Sequence, residues 1–123
     1  MKTSIGLGLL MVVLAASFTS VNAQKKVDPV GTWSYEADQA PYEYSSGDIV
    51  VSKEGKDLKV EIQLGEYYKI KADKVVYDKN VLSFDVYIEG ESVSIIANME
   101  KESFEGKASY SDGTIPIKGK KKK

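Results

Sequence analysis

The sequence predicts a single all-β domain in which eight antiparallel strands form an up-and-down meander that closes into a barrel. Three observations point there. Apolar and polar residues alternate with period two along most of the chain, short turn-forming groups separate the alternating runs, and no stretch carries a helical period. A meander closed on itself leaves no unpaired sheet edge, and eight strands enclose an interior that side chains just fill. Any cavity is therefore expected to be small and confined to one mouth.

The 123 residues allow one domain. Lys2, an apolar run over residues 5–16, a polar stretch over 17–20 and the small-residue site Val21-Asn22-Ala23 predict a secretory signal peptide spanning residues 1–23, cut before Gln24. The apolar run is too short to span a bilayer and no later run replaces it, so no transmembrane span is expected. The product is expected to be exported, periplasmic or extracellular. A lipid-anchored product would start on cysteine, whereas Gln24 stands there and the chain has no cysteine. The fold must then stand on its core, without disulfides. Residues 24–29 read as an N-terminal extension, 30–119 as the barrel and 120–123 as a lysine tail. All seventeen basic residues are lysines, and the loss of Lys2 leaves sixteen against eighteen acids. That balance gives no reason to expect nucleic acid as a partner.

The first strand starts at Gly31-Thr32-Trp33-Ser34-Tyr35 and carries the only tryptophan. Trp33 offers more apolar area than any other side chain and is predicted to plug the end of the barrel near the termini. Ile49 and Val51 mark the second strand, and Leu58, Val60, Ile62 and Leu64 the third. Tyr68, Ile70, Ala72 and Val76 form the fourth, its alternation spoiled by Lys74. Leu82 to Ile88, Val93 to Met99, Phe104 to Tyr110, and Ile115 with Ile117 complete the eight.

Directly opposed residues of an antiparallel hairpin share a face, so a correct turn sets inward residues opposite inward residues. Turns at Glu54-Gly55, Glu89-Gly90, Lys101-Glu102 and Asp112-Gly113 pair Val51 with Leu58, Phe84 with Ile95, Met99 with Phe104, and Tyr110 with Ile115. Three-residue loops at 65–67 and 78–80 pair Ile62 with Ile70 and Val76 with Leu82. All six hairpins pass the parity test, with Asp112-Gly113 the best turn chemistry because both central residues of a type I′ turn need positive φ.

The alternating chain direction sorts the connections to two ends. The terminus end gathers lysines, including residues 118–123. The far end gathers Glu36, Asp38, Glu43, Asp48, Glu66, Glu89, Glu91 and Asp112, with tyrosines among them. The connection over 38–46 is much the longest, stiffened by Pro41, and is expected to cover the far mouth in part. Tyr35, Tyr42, Tyr44, Tyr67 and Tyr110 are the candidate ligand-binding residues there. The lysine tail is expected to be a frayed, solvated terminus, or else to make weak contact with anionic envelope components at about 1 kcal/mol per lysine.

Gly31-Thr32-Trp33 before a meander resembles the glycine-any-tryptophan signature of lipocalins and the wider calycin group. Val30-Gly31-Thr32-Trp33, Ala40-Pro41-Tyr42 leading to Ser46-Gly47, and Asp112-Gly113-Thr114 with a lysine tail look like the small lipocalin-like β-barrel domains of secreted Bacteroidota proteins. The resemblance implies a lipocalin-like barrel. Lipocalins are about half as long again and place an arginine of the last strand over the tryptophan. This chain has no arginine, and Lys118 is the nearest basic candidate.

Catalysis is tested by what the chain lacks. Without histidine or cysteine there is no imidazole base, no thiolate and no zinc site of the usual kind. Glu36 with Asp38 or Asp48 is the remaining carboxylate pair, and acids on an open loop lack the burial that a general acid needs. Asp38, Glu43 and Asp48 have the donors for calcium but no EF-hand spacing. No enzyme activity, metal or cofactor is expected. The sequence supports a non-catalytic binding module taking a small ligand, carbohydrate or peptide at a tyrosine-rich mouth. The alternative is an envelope structural or interaction protein using its outer wall, where Val50, Tyr87 and Ile96 point outward.

Overall fold

The computed structural model describes residues 25–123; the predicted signal peptide and Gln24 lie outside the described residues. Among these residues nine strands, one more than predicted, form one antiparallel sheet that curls into a nearly closed barrel. They are β1 (Gly31–Glu36), β2 (Ser46–Glu54), β3 (Asp57–Leu64), β4 (Tyr68–Lys71), β5 (Asp73–Asp78), β6 (Val81–Ile88), β7 (Glu91–Met99), β8 (Ser103–Tyr110) and β9 (Gly113–Lys121). Neighbours in the sheet follow the chain except that β1 pairs with β9, which joins the first strand to the last.

The extra strand comes from the place where alternation failed. The predicted fourth strand pairs with β3 as far as Ala72, whose N–H donates to the Val60 carbonyl at 2.9 Å. From Asp73 the same chain pairs with β6 instead. Lys74 takes φ 54° at the changeover, and the register slips between Asp73 and Val76. The strand thus serves each neighbour with half its length, and a seam is left between β4 and β5.

Three predicted registers hold: Ile62 opposite Ile70, Phe84 opposite Ile95, and Met99 opposite Phe104. Three are corrected. Val51 faces Val60, not Leu58, because the turn is Gly55-Lys56 with Gly55 at φ 66° as its first central residue. Glycine at that position is the type II′ signature. Ile115 faces Ala108, not Tyr110, because the turn is Ser111-Asp112 and Gly113 begins β9. Leu82 faces Tyr77, not Val76, because Lys79 and Asn80 both take positive φ and make a two-residue type I′ turn. Val76 consequently points out to solvent.

The terminus end is filled by aromatic side chains. Trp33 is 1% exposed, as predicted, with Phe104 edge-on to it at 6.2 Å between ring centroids. Its indole N–H donates to the Pro29 carbonyl at 2.9 Å, so the polar edge of the plug is satisfied. The residue that covers the indole is Lys121, not Lys118: its Nζ lies 5.4 Å from the ring centroid, within cation–π range. Gly31 explains the rest of the glycine-any-tryptophan pattern. It takes φ 144°, and a Cβ there would come within 2.8 Å of the Lys121 side chain.

The lysine run is therefore not a frayed tail. Lys120 and Lys121 belong to β9, the Lys122 N–H donates to the Thr32 carbonyl, and the Lys122 ammonium reaches Asp48 at 3.0 Å. The N-terminal extension is also tied down. Tyr77 donates to the Val27 carbonyl, and the Asn80 amide bonds both the Val27 N–H and the Lys25 carbonyl. These bonds hold residues 25–27 against the β5–β6 hairpin.

Candidate functional site

The opposite half of the barrel is hollow. A cavity of about 270 Å³ opens at the far mouth, beneath residues 37–44 and between the β6–β7 and β8–β9 turns. Its inner wall is aliphatic, with Ile49, Ile62, Val93, Ile95, Ile115 and Ile117 facing the space. Small inward residues keep it open: Ala37 on β1's continuation and Ala108 on β8 leave the volume that an isoleucine or phenylalanine would take.

Tyr35 is the link between core and mouth. Its ring lies over Gly47, directly opposite on β2, where an added Cβ would come within 3.0 Å of that ring. The phenol donates to the Tyr44 carbonyl at 2.9 Å, fastening the covering segment from below. Burial pushes the Tyr35 phenol up to about 12, so it remains a donor at any physiological pH.

The covering segment carries its own hydrogen bonds. Ala37 N–H donates to the Ser45 carbonyl at 2.7 Å, which closes the base of the loop. Ala40 N–H reaches the Ala37 carbonyl, and a single 3-10 turn over Tyr42–Tyr44 follows Pro41. Ser45 returns both its N–H and its hydroxyl to the Tyr42 carbonyl. The tip is latched across the mouth by Tyr44, whose phenol donates to Glu89 Oε2 at 2.7 Å. That bond, followed by burial, pushes the Tyr44 phenol up to about 12, since a donated hydrogen bond favours the neutral form.

Carboxylates ring the entrance. Glu89, Glu91 and Asp112 all border the cavity. Glu91 accepts from the Ser111 hydroxyl and from its N–H, which holds the carboxyl below its usual range and fixes the β8–β9 turn. Among the described residues the ion pairs are Lys74 with Asp85 and Lys122 with Asp48, so none of the three rim acids is paired with a lysine.

Of the five tyrosines singled out from sequence, Tyr35, Tyr44 and Tyr110 line this cavity. Tyr42 and Tyr67 do not. They are 93% and 91% exposed and point into solvent from the 3-10 turn and the β3–β4 loop. Ala37, Ala40 and Pro41 were missed as lining residues. Ala37 had a signal, since it continues the inward parity of Trp33 and Tyr35. The carboxylates proposed for calcium are not gathered into a site: Asp48 is held by Lys122, and no group of three potential metal-ligating side chains occurs among the described residues. On the outer wall Tyr87 and Ile96 are exposed, and Val50 is half-buried.

No known family profile matches the chain, and no curated protein sequence matches it. One solved structure does, a mutant of the fluorescent protein UnaG, at TM-score 0.48 and 14% identity, covering 76% of this chain and 96% of that one. The barrel itself carries the fold assignment: one antiparallel meander whose first strand pairs with its last. No helix among the described residues is long and apolar enough to cross a membrane.

Proposed function

We propose that this chain is an exported, non-catalytic binding module that takes a small, largely apolar molecule into the mouth of its barrel. The observation that carries the reading is the aliphatic hollow beneath a hydrogen-bonded covering loop. Its volume lies near the lower end of small-molecule sites, which run from roughly 300 to 1,000 Å³. A packed β-barrel has no structural need for such a space, because unfilled volume forfeits dispersion contacts. The wall chemistry favours a hydrocarbon body over a carbohydrate, whose hydroxyls would lose their hydrogen bonds among isoleucines. Export rests on the signal-peptide pattern, and a secreted product whose mass begins at Gln24 is its test.

The binding test is titration with an uncharged environment-sensitive dye such as Nile red. Wild type should bind it with one-to-one stoichiometry. Ala108→Leu, which fills the hollow from β8, should weaken binding at least tenfold while leaving the thermal midpoint unchanged or raised. Ala40→Phe, which fills it from the loop, should do the same. Dye binding that ignores both substitutions would instead assign the apolar contact to the outer wall around Tyr87 and Ile96.

A further inference from the structure

We infer that the mouth selects amphiphiles with a positively charged head and rejects carboxylates such as fatty acids, an inference that rests on the cavity being a binding site. The argument starts from what borders the hollow. Its charged lining residues are Glu89, Glu91 and Asp112, and no lysine lines it although lysine supplies every basic residue of the chain. The lysine ammonium groups that find a partner find it away from this rim. Lys122 reaches Asp48, Lys74 reaches Asp85, and Lys121 covers Trp33 at the other end.

The rim acids also have capacity to spare. Glu89 takes the Tyr44 phenol on Oε2, and Glu91 takes both Ser111 donors on Oε2. In each, Oε1 has no hydrogen bond within the protein among the described residues. The hydrogen bonds they do make orient each carboxylate at the edge of the hollow. A ligand that buries its hydrocarbon body against Ile49, Ile95 and Ile115 would carry its head to this edge. There an ammonium meets three carboxylates and the ring of Tyr110, a cation-binding combination of charge and aromatic face. A carboxylate head would meet like charge with no cation to answer it, and like-charge juxtaposition disfavours binding.

Three straight-chain decyl-series probes that differ in the head decide the matter: decyltrimethylammonium, decanol and decanoate, titrated at pH 8 and low salt, the two ionic probes below their micelle concentrations and decanol below its solubility limit. The ammonium should bind at least tenfold more tightly than decanoate, with decanol between them. Raising the salt to 0.5 M should narrow that gap and leave decanol unmoved, because screening acts on the charged heads alone. The combined Glu89→Gln, Glu91→Gln and Asp112→Asn protein should bring the ammonium to within about threefold of decanol without loss of decanol binding. Decanoate binding as tightly as the ammonium would overturn this inference and leave the cavity as a binding site. Failure of all three probes to bind would overturn the binding-site reading as well. Ammonium binding that survives Ala108→Leu undiminished would be adsorption to the acidic surface, and would also overturn it.

Discussion

Along β1 the inward positions run from Trp33 near the termini to Ala37 at the mouth. Along β8, two places away in the sheet, they run from Phe104 to Ala108. Four residues along each strand a large aromatic, Trp33 or Phe104, gives way to an alanine. The same ladder of hydrogen bonds supports both ends, so the backbone does not decide which end is hollow. Side-chain volume at a few inward positions does. The closed end supplies the stability that lets the mouth stay underfilled, because burial of its aromatics outweighs the contacts forfeited at the other end.

The sharpest test of that division is to remove volume at the closed end and add it at the mouth. Trp33→Ala should cost about 3–5 kcal/mol in denaturant unfolding, comparable with the whole stability of a small domain. Ala108→Leu, at the other end, should leave it unchanged or raise it by less than about 1 kcal/mol. Equal costs would mean that the two ends are not distinct. Gly31→Ala comes next, at roughly 1–3 kcal/mol, since it forces a side chain into a strained φ and against Lys121. Lys121→Ala should cost about 0.5–1 kcal/mol. Lys121→Met keeps most of the stem and removes the charge, so the difference between the two isolates the cation–π contact.

The smallest stability effect belongs to the mouth. Tyr44→Phe removes the latch to Glu89 and should leave the thermal midpoint nearly unchanged at neutral pH, while ligand exchange quickens. Its signature lies in alkali. Tyr35 and Tyr44 titrate at about 12 when folded against about 10 when unfolded. Their contribution is complete below pH 10 and is lost as the pH rises through 12. Phenolate absorbance should show one fewer late-titrating group in Tyr44→Phe, and a curve identical to wild type would dismiss the latch.

The fold was legible because parity is a strong signal. Every inward residue from Ile49 to Ile117 was assigned to the correct face except at the β5–β6 hairpin. Parity is blind to a shift of two, however, and that is how Val51 came to be matched with Leu58 and Tyr110 with Ile115. Each error traced to a glycine placed second in a turn when Gly55 sits first and Gly113 sits outside. The one-residue error at Val76 came from a three-residue loop where the turn is only Lys79-Asn80, and the shorter turn brings Tyr77 inward to meet the N-terminal extension. At the mouth, an inward tyrosine such as Tyr35 or Tyr110 could be told from its strand position. Tyr42 and Tyr67 sit in connections, where no periodicity says which way a ring points. Lys121 was hidden for a different reason, since a run of lysines reads as solvated terminus until a strand is known to pass through it.

The pairing of β1 with β9 also has a kinetic consequence. Ser34 and Lys120, whose backbones meet in that ladder, are 86 positions apart in the chain. The hairpins β2–β3 and β6–β7 can zip locally, but this ladder must close a loop that contains all of them. The associated entropy is lost before any of its contacts form, which is the signature of a high-contact-order, slow-folding topology. Until it closes, β1 and β9 are two further open edges flanking the indole of Trp33. The rate-limiting event in refolding should therefore be reported by tryptophan fluorescence, and it should slow further when β9 is weakened at Ile117.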